Sequence, residues 1–177
     1  MKSPILFSLA LASSALLAHS AQLEVRVLQV SGTVPAAPEL DRLEKAGVLP
    51  SSASFVTRIR RDGSYAYSTM KPVTYASSFA PTGAVQETET KDIGLACTGR
   101  VEKFGGSYTV EVKYSNLELA QIHLYPGKKG VVFPQPIFRT RRLTTEVNGL
   151  TPGVWVALPF PAFKNEGPQT VLLLRVR

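Results

Sequence analysis

The chain has 177 residues, with 20 basic and 13 acidic side chains, a formal net charge of +7 and one cysteine. This length suits one domain with its own core and is thin for two. A single thiol rules out an intrachain disulfide framework. The chain opens with Lys2, an apolar run from Ile5 to Leu17, and then Ala18-His19-Ser20. A positive start, a short apolar middle and small residues at the end mark residues 1–20 as a secretory signal peptide cleaved after Ser20. The run is shorter than the roughly 20 apolar residues that span a bilayer. The expected destination is therefore the periplasm, the outer membrane or the cell surface, with residues 21–177 as a single domain.

Gln22–Ser31 alternates, with Leu23, Val25 and Val27 on one side and Glu24 and Arg26 on the other, and reads as a first strand. Glu39–Ala46 reads as the one helix, with acids early, Arg42 and Lys45 late, and Gly47 as its stop. At eight residues it needs a sheet to pack on through Leu40 and Leu43. Phe55–Arg60 and Tyr65–Met70 flank the Asp62-Gly63 turn as a strand pair. Tyr75 to Lys91 is rich in Ser, Thr, Ala and Pro without an apolar period, and is expected to be a long exposed loop. Lys91–Phe104 and Ser107–Leu117 form a hairpin around Gly105-Gly106, and Ala120–Tyr125 a short strand.

Arg139–Leu158 contains two alternating runs either side of Asn148-Gly149-Leu150-Thr151-Pro152-Gly153, the pattern of a half-buried hairpin. Pro159 and Pro161 stiffen the apolar link that follows, and Thr170–Arg177 is the last strand, with Leu172, Leu174 and Val176 on its buried face. Eight to ten short strands with regular turn punctuation predict an all-β protein. The expected fold is an antiparallel β-sandwich with one short N-terminal helix.

The positive charge is uneven. Residues 21–99 balance eight bases against eight acids, whereas residues 100–177 hold eleven bases and five acids. A basic half in an exported chain points to an anionic neighbour, such as a lipid headgroup, an acidic glycan or a partner protein, and export argues against nucleic acid. Lys128, Lys129, Arg139, Arg141 and Arg142 are the candidate partner-binding residues, with Arg175 and Arg177 as an extension. Their other reading is edge protection, since charges on strands discourage edge-to-edge aggregation.

Reactive side chains are few. After processing only His123 remains among the histidines, flanked by Ile122 and Leu124, as an exposed strand residue is. Cys97 shares a face with Ile93 and Leu95 and reads as a small buried hydrophobe; a thiolate activated by His123 is the alternative. Asp41, Asp62 and Asp92 lie in separate segments, so no metal cluster is written, and no glycine-rich phosphate loop precedes a helix. Neither catalysis nor a cofactor is expected.

One further pattern runs from Phe55-Val56-Thr57 through Asp62-Gly63, Tyr75 and Asp92-Ile93-Gly94-Leu95 to Tyr108–Val112. It continues with Pro136, Thr140-Arg141-Arg142-Leu143-Thr144-Thr145-Glu146-Val147 and Pro152-Gly153-Val154-Trp155-Val156-Ala157-Leu158. Over Ser54–Leu158 this order resembles the C-terminal domain of bacterial secretins, the outer-membrane channels of type II and III secretion and type IV pilus systems. Only a strand and a short helix precede it here, Pro159-Phe160-Pro161 stands where paired glycines follow the apolar strand, and Tyr75–Lys91 lacks membrane-strand alternation. The resemblance implies a secretin-type β domain detached from its channel. Its expected role is to bind protein components of an envelope assembly such as a pilus or secretion apparatus. A stand-alone adhesin-like sandwich for an anionic glycan or host protein is the alternative.

Overall fold

The computed structural model describes residues 21–126, 130–160 and 168–177, and the signal-peptide reading of residues 1–20 lies outside them. Among these residues the order is β1 (Gln22–Val30), α1 (Ala37–Lys45), β2 (Ser51–Arg58), β3 (Ser64–Ser68), β4 (Lys71–Phe79), β5 (Val85–Phe104), β6 (Ser107–Pro126), β7 (Val132–Leu150), β8 (Val156–Pro159) and β9 (Gln169–Val176). The strands form two antiparallel sheets. One runs β2-β1-β9-β8; the other runs β3-β5-β6-β7, with β4 beside the first half of β5.

Alternation explains how the sheets meet. Leu23, Val25 and Val27 of β1 and Leu172, Leu174 and Val176 of β9 face Leu95, Cys97, Val101, Val110, Val112 and Tyr114 of the second sheet, making the main core. Each such fully buried Val or Leu contributes about 2 kcal/mol. The expected all-β sandwich, with one short helix, is what the chain forms.

The first sheet is covered on its far side as well. Leu28, Val30, Val171 and Leu173 pack there under Leu40 of α1 and Trp155, which leaves β9 buried on both faces where the sequence suggested one. Nine residues of helix cannot hold themselves in water, and α1 is docked by charge as well as by Leu40. Arg26 of β1 donates to Asp41 at 3.0 Å, to Glu44 at 2.6 Å and to Glu24 at 3.0 Å. Arg175 reaches the same Glu24 at 2.6 Å. The guanidinium groups of Arg26 and Arg175 lie 4.5 and 4.3 Å from the centre of the Trp155 ring, giving two cation–π contacts to one indole.

Three expectations are corrected. Phe55–Arg60 and Tyr65–Met70 do not pair around Asp62-Gly63: β2 pairs with β1 and β3 with β5, so that turn carries the chain between the sheets. The runs either side of Asn148–Gly153 are not a hairpin: β7 pairs with β6, and β8 pairs with β9. The intervening turn carries the chain from one sheet to the other, with Gly153 N–H donating to the Val176 carbonyl at 2.8 Å. Tyr75–Lys91 is not a loop either. It belongs to a β4–β5 hairpin whose register runs from Lys71 opposite Ile93 to Phe79 opposite Val85. One face of that hairpin sets Val73 and Tyr75 opposite Lys91 and Glu89, the other sets Thr74 and Ala76 opposite Thr90 and Thr88, so charges interrupt the apolar period, while Thr74 and Thr90 bond across it at 2.8 Å.

Candidate interaction surfaces

The chain projects two hairpins from one end of the sandwich. β5 and β6 pair from Phe104 opposite Ser107 as far as Gly94 opposite Leu117 and then part. Beyond that point β5 pairs with β4, and β6 pairs with β7 out to Pro126 opposite Val132. Gly94 makes the parting possible. Its φ of +140° is one that side chains disfavour, and a Cβ there would stand 2.7 Å from the Thr69 carbonyl oxygen, where the end of β3 crosses β5. Thr69 secures the crossing, its N–H donating to the Leu95 carbonyl at 2.8 Å.

The two arms touch through aromatic rings. Tyr75 meets Phe138 at 5.1 Å and Phe79 meets Phe133 at 5.3 Å between ring centres, and the Lys91 ammonium lies 4.7 Å from the centre of the Phe138 ring. Their outer surface is apolar on the β6–β7 side. Ile122, Leu124 and Val132 are 57%, 60% and 53% exposed, and in register Ile122 stands opposite Pro136 and Leu124 opposite Pro134. Of the twelve exposed large hydrophobic residues among those described, eight lie on the arms. The apolar exposure is therefore concentrated, as it is at partner surfaces, rather than scattered.

Of the five basic residues singled out in the sequence, three fall within the described residues, all on β7. Lys128 and Lys129 lie outside the described residues. Arg139 is exposed on β7 with Glu118 at 3.9 Å. Arg141 is half-buried, donates to the Thr170 hydroxyl and leaves its Nε buried without an acceptor. Arg142 is exposed, one residue further along the strand. Arg175 and Arg177 do not extend this group. Both reach Glu24, at 2.6 Å, on the first sheet.

Sequence reasoning missed two features. The first is an open cleft of about 520 Å³ on the second sheet, lined by Arg60, Asp62, Arg100, Glu111 and Lys113 over Tyr65 and Gly99. Its charges are partly matched internally, with Lys113 at 2.7 Å from Glu111 and Arg100 at 3.5 Å from Glu102. The second is the pair of arms, for which the sequence signal was the row of apolar residues Leu119, Ile122, Leu124 and Tyr125. Cys97 is buried, and burial pushes its thiol up to about 11. His123 sits on the β6–β7 arm, edge-on to Tyr125 at 4.3 Å, so the structure does not bring the thiol and the imidazole together. Among the described residues no three His, Cys, Asp or Glu side chains form a metal-binding group. No protein-family model, curated protein or solved structure matches the chain.

Proposed function

We propose that the protein is an exported, non-enzymatic binding module that acts through protein–protein contacts within a cell-envelope assembly of the pilus or secretion-apparatus kind. The observation that carries this reading is the pair of projecting arms, which concentrate exposed Ile122, Leu124, Tyr125, Val132 and Ile137 on a frame rigidified by ring contacts. Solvent-exposed apolar side chains on ordered strands cost stability unless a partner covers them. The likeness of Ser54–Leu158 to the secretin C-terminal domain supports the choice of an envelope assembly. The buried thiol and distant imidazole offer no nucleophile–base pair.

The test is cross-linking of the exported protein in intact cells, followed by sizing of the solubilised envelope complexes. The protein is expected in a high-mass species that is lost when Ile122→Asn and Leu124→Asn are combined, with the near-ultraviolet signal of buried Trp155 unchanged. A protein that stays monomeric in the envelope fraction while retaining affinity for anionic glycans refutes this reading and favours the adhesin-like alternative.

A further inference from the structure

We infer that the open cleft on the second sheet is a binding site for a sugar that bears a single carboxylate on its ring, a hexuronate in chemical terms. The inference goes beyond the reading above and does not depend on it. The cleft lies where β5 and β6 are still paired, with Thr98 opposite Lys113, and not on the arms. Its volume of about 520 Å³ falls within the range of small-molecule sites. One wall is fixed by the backbone. The turn at Asp62-Gly63 is bonded onto β5, with Val101 N–H donating to the Gly63 carbonyl at 2.8 Å and Arg100 Nε to the Asp62 carbonyl at 3.2 Å. Gly63 has a φ of +81°, and a Cβ there would stand 2.6 Å from the Val101 carbonyl oxygen, so only glycine lets the turn lie this close. Ser64, Ala66, Thr98 and Gly99 keep the floor low.

Opposite charges line this cleft without neutralising one another. Arg100 and Glu111 are partners in register, yet they form no ion pair. Arg100 spends its Nε on the Asp62 carbonyl and on Glu102 at 3.5 Å, while Glu111 spends Oε1 on Lys113 at 2.7 Å. Among the described residues this leaves the terminal nitrogens of Arg100 and the whole Arg60 guanidinium without an acceptor. Two carboxylate oxygens are left over as well. Glu111 Oε2 has no donor among the described residues, and neither has Asp62 Oδ2, because Oδ1 takes both bonds from Ser64, at 2.9 Å from its N–H and 2.7 Å from its hydroxyl. Free guanidinium forks match a planar carboxylate. Free carboxylate oxygens on the same walls accept hydroxyl groups and repel further negative charge. Together they select against nucleic acid and other polyanions. They favour a ring with one carboxylate among several hydroxyls, and a broad, open floor suits a ring laid flat on the strands better than the short backbone of an amino acid.

The probe is the methyl glycoside of galacturonate, titrated into the exported, processed protein and followed by amide chemical shifts in NMR. Methyl galactoside, the same ring without the charge, is one control; inorganic phosphate and L-alanine are the others. The galacturonoside is expected to shift the amides of Ser64, Thr98, Gly99 and Arg100 saturably and to leave those of residues 119–126 unmoved. Arg60→Gln and Arg100→Gln are each expected to weaken its binding about tenfold. Thr98→Phe, which fills the floor with a residue that strands accept, is expected to abolish it. Folding of each variant is checked by the near-ultraviolet signal of Trp155. Equal binding of the galactoside, tighter binding of phosphate or alanine, shifts that bypass the cleft, or unchanged affinity in the Gln variants overturns the inference. The cross-linked envelope complex is measured in parallel. A complex that persists in a protein that binds no sugar overturns this site alone, and sugar binding by a protein that forms no complex supports the site and overturns the wider reading.

Discussion

Tyr65 stands opposite Gly99 in the β3–β5 register, and its hydroxyl passes over that glycine to donate to the Glu111 carbonyl on the strand beyond, at 2.9 Å. A Cβ at Gly99 would overlap the same carbonyl oxygen. A glycine in a sheet interior normally weakens it, and an aromatic ring laid across the gap offsets that loss. Tyr65→Phe keeps the ring and removes the bond, at a cost of about 1 kcal/mol. Gly99→Ala forces the strands apart, at about 3 kcal/mol. Urea unfolding midpoints are expected to fall in the order wild type, Tyr65→Phe, Gly99→Ala. None of this was legible in the sequence, because it depends on the register of three strands at once. The burial of Cys97 was legible, because Leu95 and Cys97 alternate with Ala96 and Thr98 and need only their own strand to be recognised.

At the scale of elements, the strands with one apolar face were readable and those whose apolar residues stand among charges were not. β1 and β9 show their inward residues plainly. β4 and the first half of β5 do not, because Lys91 and Glu89 stand opposite Val73 and Tyr75 on one face, threonines fill the other, and the hairpin is held by the Thr74–Thr90 bond and by Phe79 and Tyr75 against the other arm. The turn at Asn148–Gly153 was misread for a related reason. Alternation and glycines mark where a strand ends, while partner choice is decided by β6 and β9, which precede and follow the two runs. The arms are the least buried part of the fold, so they open without the sandwich unfolding. Phe138→Ala removes the contacts with Tyr75 and Lys91. It is expected to speed amide exchange across residues 71–93 severalfold, while the urea midpoint of the whole protein shifts little. Exchange measured by mass spectrometry after proteolysis checks both halves of that expectation.

Across the whole molecule, the cluster around Glu24 ties together β1, β9 and α1. Burial works against the ionised carboxylate of Glu24, but hydrogen bonds from Arg175 and Arg26 outweigh it and hold its pKa below the usual range. A carboxyl depressed in the folded state contributes stability that is present above its ordinary pKa of about 4.3 and is lost as pH falls through the folded value. Glu24→Gln is therefore expected to lower stability near neutrality by about 3 kcal/mol, since it leaves partly buried arginines unpaired. It should also flatten the decline in stability below about pH 4. Urea titrations repeated across that range separate the two effects. The charge imbalance of the C-terminal half was visible in the sequence, but the capture of Arg175 and Arg177 by Glu24 on the first sheet was not.

The centre of the first sheet joins the two ends of the chain, Leu23 opposite Val176 and Val30 opposite Gln169. Closing so long a span carries a high entropy cost that is met only when both ends are present. Without β9 the first strand has β2 alone beside it and β8 has no partner, so half of the interior waits for residues 169–176. The sandwich therefore closes late and all at once, when the last strand slots between β1 and β8.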